Sequence, residues 1–137
     1  MTFIEMGQEL EDAKEAELAP EGEYDVVVKS VEHVTQNGKN HIKLMLVIEN
    51  AEENYAPFNH YIALPKSDDD AQKRQTKALM AKRFLVAFDI PTENGGFNPM
   101  DIEGANCRIG VTQSTNEYEG QTYVRNELKV PRLPGNS

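Results

Sequence analysis

The sequence predicts a mainly β fold, with five strands and one helix between the third and the fourth strand. Apolar residues alternate with polar ones in five runs bounded by Gly, Pro and Asn, and this is the period of a strand. One other stretch follows a capping sequence and has helical spacing. Strands and helices do not alternate along the chain, so a parallel sheet is not expected. The length of 137 residues fits a single domain.

The first two strands are predicted to form a hairpin. The first strand begins at Tyr24 and continues to Val34. The pair Asn37-Gly38 indicates the turn, because it favours the tight connections that join antiparallel strands. The second strand has one face with Ile42, Leu44, Leu46 and Ile48, and another face with His41, Lys43, Met45 and Val47.

A third strand and the helix follow. Residues 57–64 carry Phe58, His60, Ile62 and Leu64 on one face and Asn59, Tyr61 and Ala63 on the other. A helix is predicted over residues 69–88, because Ser67 and the carboxylates of Asp68, Asp69 and Asp70 favour a helix N-terminus. Its polar side carries five bases: Lys73, Arg74, Lys77, Lys82 and Arg83.

Two further strands complete the predicted domain. Residues 105–113 carry Cys107, Ile109 and Val111 inward and Arg108 outward. Residues 114–121 are predicted to form a turn, because they are polar and contain Gly120. Residues 122–130 carry Val124, Leu128 and Val130 inward, and Tyr123, Arg125 and Lys129 outward.

Charge and composition divide the chain into an acidic N-terminal arm (residues 1–20), a domain (residues 21–131) and a short flexible tail (residues 132–137). Residues 1–25 hold nine acids and one base, whereas the remaining 112 residues hold 14 acids and 13 bases. The net charge of −9 therefore does not exclude a nucleic-acid partner, since the bases of the domain can cluster on one face. Phe3, Met6, Leu10 and Ala13 have helical spacing and Pro20 interrupts it, so the arm is either a weak amphipathic helix or disordered. It serves either as a solvated tail or as a docking segment, which would bind a partner protein or compete for the protein's own basic surface.

No metal site, cofactor or catalytic group is predicted. Cys107 alternates with apolar residues and is expected to be a core thiol. His33, His41 and His60 lack the spacing of a zinc site, and helix capping explains the carboxylates of residues 68–70. A nuclease or another enzyme is therefore not expected. No apolar run reaches the roughly 18 residues of a membrane span, and no signal peptide is recognisable, so a cytoplasmic location is expected.

The order of three strands, one helix and two strands is expected of a five-stranded, partly open barrel of the oligonucleotide-binding (OB) type. A simple α+β antiparallel sheet is the alternative. Five segments, by their order and spacing, carry a further likeness: Pro20 to Tyr24, Asn37 to Leu44, Phe58 to Pro65, Gly96 to Gly104 and Tyr118 to Gln121. With these segments, residues 19–133 resemble a family of bacteriophage single-stranded DNA-binding proteins with an OB fold.

This resemblance implies sequence-independent binding and protection of single-stranded DNA during phage replication or recombination, in the cytoplasm of an infected bacterial host. Related barrels commonly assemble, so a homo-oligomer is a further expectation. Many relatives recruit replication proteins through an acidic C-terminal tail. Residues 133–137 contain no acid, so the acidic arm is the candidate for contacts with replication or recombination proteins.

Single-strand binding needs cations along the phosphates and flat side chains on which bases stack. The predicted nucleic-acid-binding residues face outward on the strands or lie in the neighbouring loops: Lys39, His41, Lys43, Tyr55, Tyr61, Arg108, Tyr118, Tyr123, Arg125 and Lys129. Tyr61 and Tyr123 are the expected stacking platforms. The basic helix side is a solvated surface, a second DNA contact, or a receptor for another subunit's acidic arm. The alternative function is an OB-fold protein-interaction subunit of a phage replication or recombination complex.

Overall fold

The computed structural model describes residues 2–134. Its five strands form one antiparallel sheet in the order β3-β2-β1-β4-β5. The strands are β1 (Gly22–Gln36), β2 (Lys39–Glu49), β3 (Phe58–Ala63), β4 (Asn106–Tyr118) and β5 (Gln121–Lys129). Two helices, α1 (Gln8–Asp12) and α2 (Ala71–Ala87), and a 3-10 turn (Pro99–Asp101) complete the fold. The prediction of a mainly β fold with five strands is confirmed, as is a helix between the third and the fourth strand.

The β1–β2 hairpin closes through the predicted tight turn. Asn37 and Gly38 both have positive φ, 52° and 74°, which is the backbone shape of the turn that Asn-Gly favours. Further down the hairpin, Val28 pairs with Leu46 but Ser30 pairs with Met45, so β1 contains a bulge. A bulge bends a strand and increases its twist. This bend helps a single sheet to curl around one core.

The core lies on the concave inner face of the sheet. Alternating residues of the strands supply it, and α2 and the following segment cover it. Its most deeply buried members are Val26, Val28, Ile42, Leu44, Leu46, Phe84, Ile102 and Val111. The burial of Ile42, Leu44 and Leu46, together with that of Phe58 and Ile62, confirms the predicted faces of β2 and β3.

Curling brings the two edge strands together. Residues 57–61 line a cleft with residues 125–128, and residues 60–63 line the next cleft with residues 128–130. β3 and β5 therefore run in the same direction across a narrow gap, which we call the seam. No hydrogen-bonded ladder joins the two strands in the part of the chain that the structure describes, so the sheet is not closed into a complete barrel.

Helix α2 is slightly shorter than the predicted residues 69–88. Asp70 is its N-cap, and the carboxylate of Asp70 accepts a hydrogen bond from the Lys73 amide at 2.7 Å. Asp69 instead accepts from the Lys66 amide at 2.8 Å and from Lys77 Nζ at 2.6 Å. The Lys77 hydrogen bond is the main reason that the pKa of Asp69 is lowered. Lys77 is therefore engaged within the protein and does not belong to the free basic side of the helix.

The β4–β5 hairpin is longer than the sequence predicted. Residues 114–118 continue β4, and only Glu119 and Gly120, with φ of 51° and 78°, form the turn. The prediction of a turn over residues 114–121 is wrong, because Thr and Tyr favour strands and two residues with positive φ are enough to connect them. Pairing between β1 and β4 ends at Gly22 opposite Val111. The hairpin therefore projects beyond β1, and Val124, which was predicted to face inward, is 42% exposed.

The acidic arm is exposed up to Leu18 and then joins the body. Ala19 is fully buried. The Ala19 amide donates to Asn126 Oδ1 at 3.0 Å, and Asn126 Nδ2 donates to the Ala19 carbonyl at 2.9 Å. Glu17 is bound to the segment before β3 by backbone hydrogen bonds with Asn54 and Ala56. The last residues of the predicted arm therefore belong to the folded domain, whereas residues 135–137 of the predicted flexible tail lie outside the described residues.

Candidate nucleic-acid interface

Strand pairing brings almost all of the predicted site residues to one face of the sheet. Directly paired residues share a face, and alternate residues along a strand do so too. From Lys43, which pairs with Glu32 and Tyr61, this rule extends across all five strands. The outer face then carries every predicted site residue except Tyr55: Lys39, His41, Lys43, Tyr61, Arg108, Tyr118, Tyr123, Arg125 and Lys129.

One part of the outer face combines cations with an aromatic ring. We call Lys39, His41, Lys43 and Tyr61 the β2–β3 patch. The His41 and Tyr61 rings lie edge to face, with their centroids 5.2 Å apart, and Lys43 pairs with Tyr61 across the strands. The patch lines a shallow groove of about 600 Å³ in which Glu32 is the one acidic residue among those described. The groove is therefore locally positive in an acidic protein.

Tyr61 also reaches the seam. Tyr61 is 50% exposed on the outer face of β3, an edge strand with no hydrogen-bonded neighbour beyond it among residues 2–134. Tyr61 lines the groove of the β2–β3 patch and both clefts of the seam. A ring in this position can receive a base from either side.

A second group lies on the projecting β4–β5 hairpin. Tyr118 and Tyr123 are 66% and 51% exposed, and the Tyr123 hydroxyl donates to Gln121 Oε1 at 2.9 Å. Arg125 forms an ion pair with Glu127 at 3.2 Å. Exposed ion pairs are weak, typically about 0.2 to 1 kcal/mol, so Arg125 can exchange this carboxylate for a phosphate. Arg125 shares a cleft of about 410 Å³ with Tyr61, which links this group to the β2–β3 patch.

Tyr55 lies apart from the other predicted residues. It belongs to the connection between β2 and β3, and its ring meets the ring of Tyr24 edge to face at 5.7 Å. Burial, and next the neighbouring Tyr24, raise the pKa of Tyr55. The backbone of Tyr55 also forms an isolated parallel β-bridge with Glu17 of the acidic arm. Its surroundings are those of a packing residue.

Arg108 lies on the outer face but in acidic surroundings. Its Nη1 is 3.4 Å from Asp25 Oδ1, and its Nη2 donates to the Glu23 carbonyl at 3.4 Å. Arg108 lines a groove of about 660 Å³ together with Glu21, Glu23 and Lys129. Nearby carboxylates weaken the attraction of a phosphate to this guanidinium. Lys129 differs from Arg108, because it also lines the cleft of the seam next to α2.

Sequence reasoning did not separate Arg83 from the other bases of α2. Arg83 lines the α2 end of the seam together with Tyr61 and Lys129, whereas Lys82 lines a neighbouring cleft that α2 forms with Gly95 and Phe97. Neighbouring positions on a helix point in different directions. The sequence signal for Arg83 was only its place in a basic stretch.

The other reactive side chains, Cys107 and His60, lie in partly buried environments that indicate a structural role. Cys107 is half-buried, and burial raises the pKa of its thiol to about 11, so the thiol is protonated and weakly nucleophilic at neutral pH. Burial lowers the pKa of His60, whereas the nearby Glu127 opposes this shift. Within residues 2–134, no three His, Cys, Asp or Glu side chains form a group that could hold a metal ion. No helix of this part of the chain is long and apolar enough to cross a membrane.

Comparison with models of known protein families finds none that matches this chain. A comparison with curated proteins finds no significant match either. The likeness to phage single-stranded DNA-binding proteins therefore depends on the order and spacing of the short segments in the sequence, and it stays a prediction.

Proposed function

We propose that this protein is a phage-type OB-fold protein that binds and protects single-stranded DNA, without reading its sequence, during replication or recombination. One observation carries the proposal: the strand residues that are predicted to stack on bases or to contact phosphates share the outer face of the sheet. Alternation along each strand predicts that Lys43, Tyr61 and Arg125 face outward, and strand pairing brings them onto one side of a curled sheet. Their grouping supplies the two kinds of side chain that such binding needs.

The topology supports the OB-fold part of the proposal. β1 pairs with both β2 and β4, β3 and β5 run side by side, and α2 joins β3 to β4. An OB fold is a five-stranded, partly open Greek-key barrel, and the open seam agrees with that description. The fold binds oligonucleotides on the face of strands 2 and 3, between the loops that join strands 1 to 2 and 4 to 5. In this protein those positions correspond to the β2–β3 patch and the two hairpin turns.

The proposed path of the strand follows from these positions. Phosphates contact Lys39 and Lys43 on β2, a base stacks on Tyr61, and the strand then crosses the seam to Arg125 and Tyr123. Contacts of this type address the backbone and the π-faces of bases, which every sequence offers. The protein therefore acts by binding and not by catalysis, in the cytoplasm of the infected host. Its exposed acidic arm remains the candidate contact for replication or recombination proteins.

The test is fluorescence anisotropy with a labelled oligo-dT, its duplex and the matching RNA at several salt concentrations. Tight binding of oligo-dT that weakens with salt, and much weaker binding of the duplex, is the expected result. The salt slope counts the neutralised phosphates, at about 0.7 per phosphate for single strands. Comparable affinity for the RNA would widen the proposal to single-stranded nucleic acids in general. An absence of oligo-dT binding at low salt would overturn the proposal and favour the protein-interaction subunit.

A further inference from the structure

The end of the seam next to α2 forms a cleft of about 500 Å³. Residues 60–63 of β3 form one wall, residues 128–130 of β5 the opposite wall, and α2 contributes Met80, Ala81 and Arg83. Side chains from both faces of β3 reach this cleft, because no strand in the described part of the chain pairs with β3 on this side. The volume lies within the range of about 300 to 1,000 Å³ for small-molecule pockets.

The charge of this cleft is unlike the charge of the protein as a whole. Its charged lining residues are Arg83 and Lys129, and no carboxylate lines it within the described part of the chain. The protein has a net charge of −9, and two neighbouring clefts contain acids, Glu127 in one and Glu21 with Glu23 in another. The cleft on the other side of Ala63 and Ala81 contains Lys77 and Lys82 and, among the described residues, no carboxylate. A concave site with cations and apolar walls concentrates the field on an anion.

Arg83 has an unused hydrogen-bond donor at this site. Its Nε is buried and has no hydrogen-bond partner among the described residues, and its Nη1 lies 3.7 Å from the sulfur of Met80. Buried polar groups are nearly always paired, so the unpaired donor of Arg83 is unfavourable. Arg83 as a whole lines the cleft, and a planar guanidinium binds phosphate oxygens in pairs.

The other walls suit a nucleobase. Tyr61 is half-exposed at the cleft. The His60 ring stacks on Phe84 at 5.1 Å with an interplanar angle of 14°, and Phe84 stacks in turn on Phe88 at 4.4 Å. Ile62 and Met80 add apolar surface. The cleft thus combines two cations with a flat exposed ring over an apolar floor.

We propose that this cleft binds one nucleotide of the single strand, with its phosphate on Arg83 and Lys129 and its base against Tyr61. The proposal rests on the proposed single-stranded DNA binding and extends it from the open face of β2 and β3 to a pocket built partly by α2. Arg83 is a phosphate-binding residue, and the other bases of α2 are not required.

The experiment compares Arg83→Met with Lys82→Met in the full chain. Both substitutions remove one positive charge from adjacent positions of α2 and keep an unbranched apolar stem, but only Arg83 lines the cleft. Binding of labelled oligo-dT is measured by anisotropy at several salt concentrations. Arg83→Met is expected to weaken binding roughly tenfold and to lower the salt slope by about 0.7. Lys82→Met is expected to bind like the wild type.

The outcomes separate this proposal from the proposed function. Tight wild-type binding with equal affinities for the two variants would overturn the nucleotide pocket and leave single-strand binding in place. Failure of the wild type to bind oligo-dT would overturn both. Circular dichroism checks that Arg83→Met is folded.

A measurement on the wild-type chain covers the case in which Arg83→Met does not fold. Thymidine 5′-monophosphate is expected to shift the NMR amide signals of Tyr61, Arg83 and Lys129, and thymidine without the phosphate is expected to leave the Arg83 and Lys129 signals in place. An absence of shifts with the monophosphate, or equal shifts with thymidine, would overturn the pocket.

Discussion

The β2–β3 patch and the region around Arg108 lie on the same outer face of one sheet, yet they differ in what surrounds their cations. Lys39 and Lys43 share a groove with a half-exposed ring and one carboxylate, Glu32. Arg108 is 3.4 Å from Asp25, and its groove holds Glu21 and Glu23 together with two further bases, Lys129 and Arg132, so three bases face three carboxylates. The first region can attract a phosphate, whereas the charge of the second is largely balanced within the protein.

This difference teaches that an outward-facing base is informative only together with its neighbours across the strands. Alternation along β4 predicts that Arg108 faces outward, and it does. The carboxylate that meets it comes from β1, through the pairing of Asp25 with Arg108. The same reasoning applies to aromatic residues, since Tyr61 is an exposed edge residue and Tyr55 packs on Tyr24.

The largest difference in oligo-dT affinity is expected between substitutions of Tyr61 and of Tyr55. Tyr61→Ala should weaken oligo-dT binding by about 1 to 3 kcal/mol for each base stacked on the ring, which is roughly 5- to 150-fold. Tyr61→Phe keeps the ring and should remain close to the wild type. Anisotropy titrations measure the affinities.

Tyr55→Leu is the corresponding substitution at the tyrosine that packs on Tyr24. It should leave the affinity unchanged and lower the free energy of unfolding by about 0.5 to 1.5 kcal/mol, the contribution of an aromatic pair. Urea unfolding measures this loss. Equal affinities for Tyr61→Ala and the wild type, or a loss of affinity in Tyr55→Leu at unchanged stability, would reverse the roles assigned to the two tyrosines.

Substitutions of the cations in the two regions should differ less in their effect on oligo-dT binding than the two tyrosine substitutions do. The double substitution Lys39→Ala and Lys43→Ala should lower the salt slope of oligo-dT binding by about 1.4, because each phosphate contact contributes about 0.7. The affinity at low salt should fall roughly tenfold, since each exposed ion pair is worth up to about 1 kcal/mol. Arg108→Ala should leave the slope unchanged. A slope that falls as much for Arg108→Ala as for one lysine would show that Asp25 does not neutralise this arginine.

Much of the outer face could be predicted because the period of a strand is strict. A slip of one residue in β2 would bury Lys43 and expose Leu44, so the apolar pattern fixes the register. The prediction of His41, Lys43 and Tyr61 as outward residues depended only on this constraint. Asn37-Gly38 added the position of the turn, because two residues with positive φ are needed there.

The features that could not be predicted depend on the curvature of the whole sheet. Local sequence patterns hardly determine this curvature. The seam brings Arg83 of α2 to the same cleft as Lys129 of β5, and no period along the chain relates these two positions. Polar residues 114–118 suit either a turn or a projecting strand, so the length of the β4–β5 hairpin was predicted incorrectly. The burial of Ala19 by Asn126 had no signal either, because a single Asn in a strand usually faces solvent.

The smallest expected effect is a dependence of stability on pH. It comes from His60, which lines the seam beneath the β2–β3 patch. Burial holds the pKa of His60 below its ordinary value, with Glu127 opposing the shift. Below the ordinary histidine pKa of about 6.5, the unfolded chain takes up a proton that the folded protein resists. Stability should therefore be fully present above this pH and should fall as the pH decreases below about 6.5. The Asp69 carboxyl, whose pKa is lowered, acts only at more acidic pH.

Thermal unfolding at pH 7.5 and pH 5.5 measures this dependence, and His60→Phe is the informative variant because it keeps a ring against Phe84. The decrease in Tm on acidification should be smaller in His60→Phe than in the wild type. Arg108→Ala, at the other end of the outer face, should keep the wild-type decrease, because it leaves His60 buried. An identical pH dependence in the wild type and His60→Phe would show that burial does not lower the pKa of His60 in the folded protein.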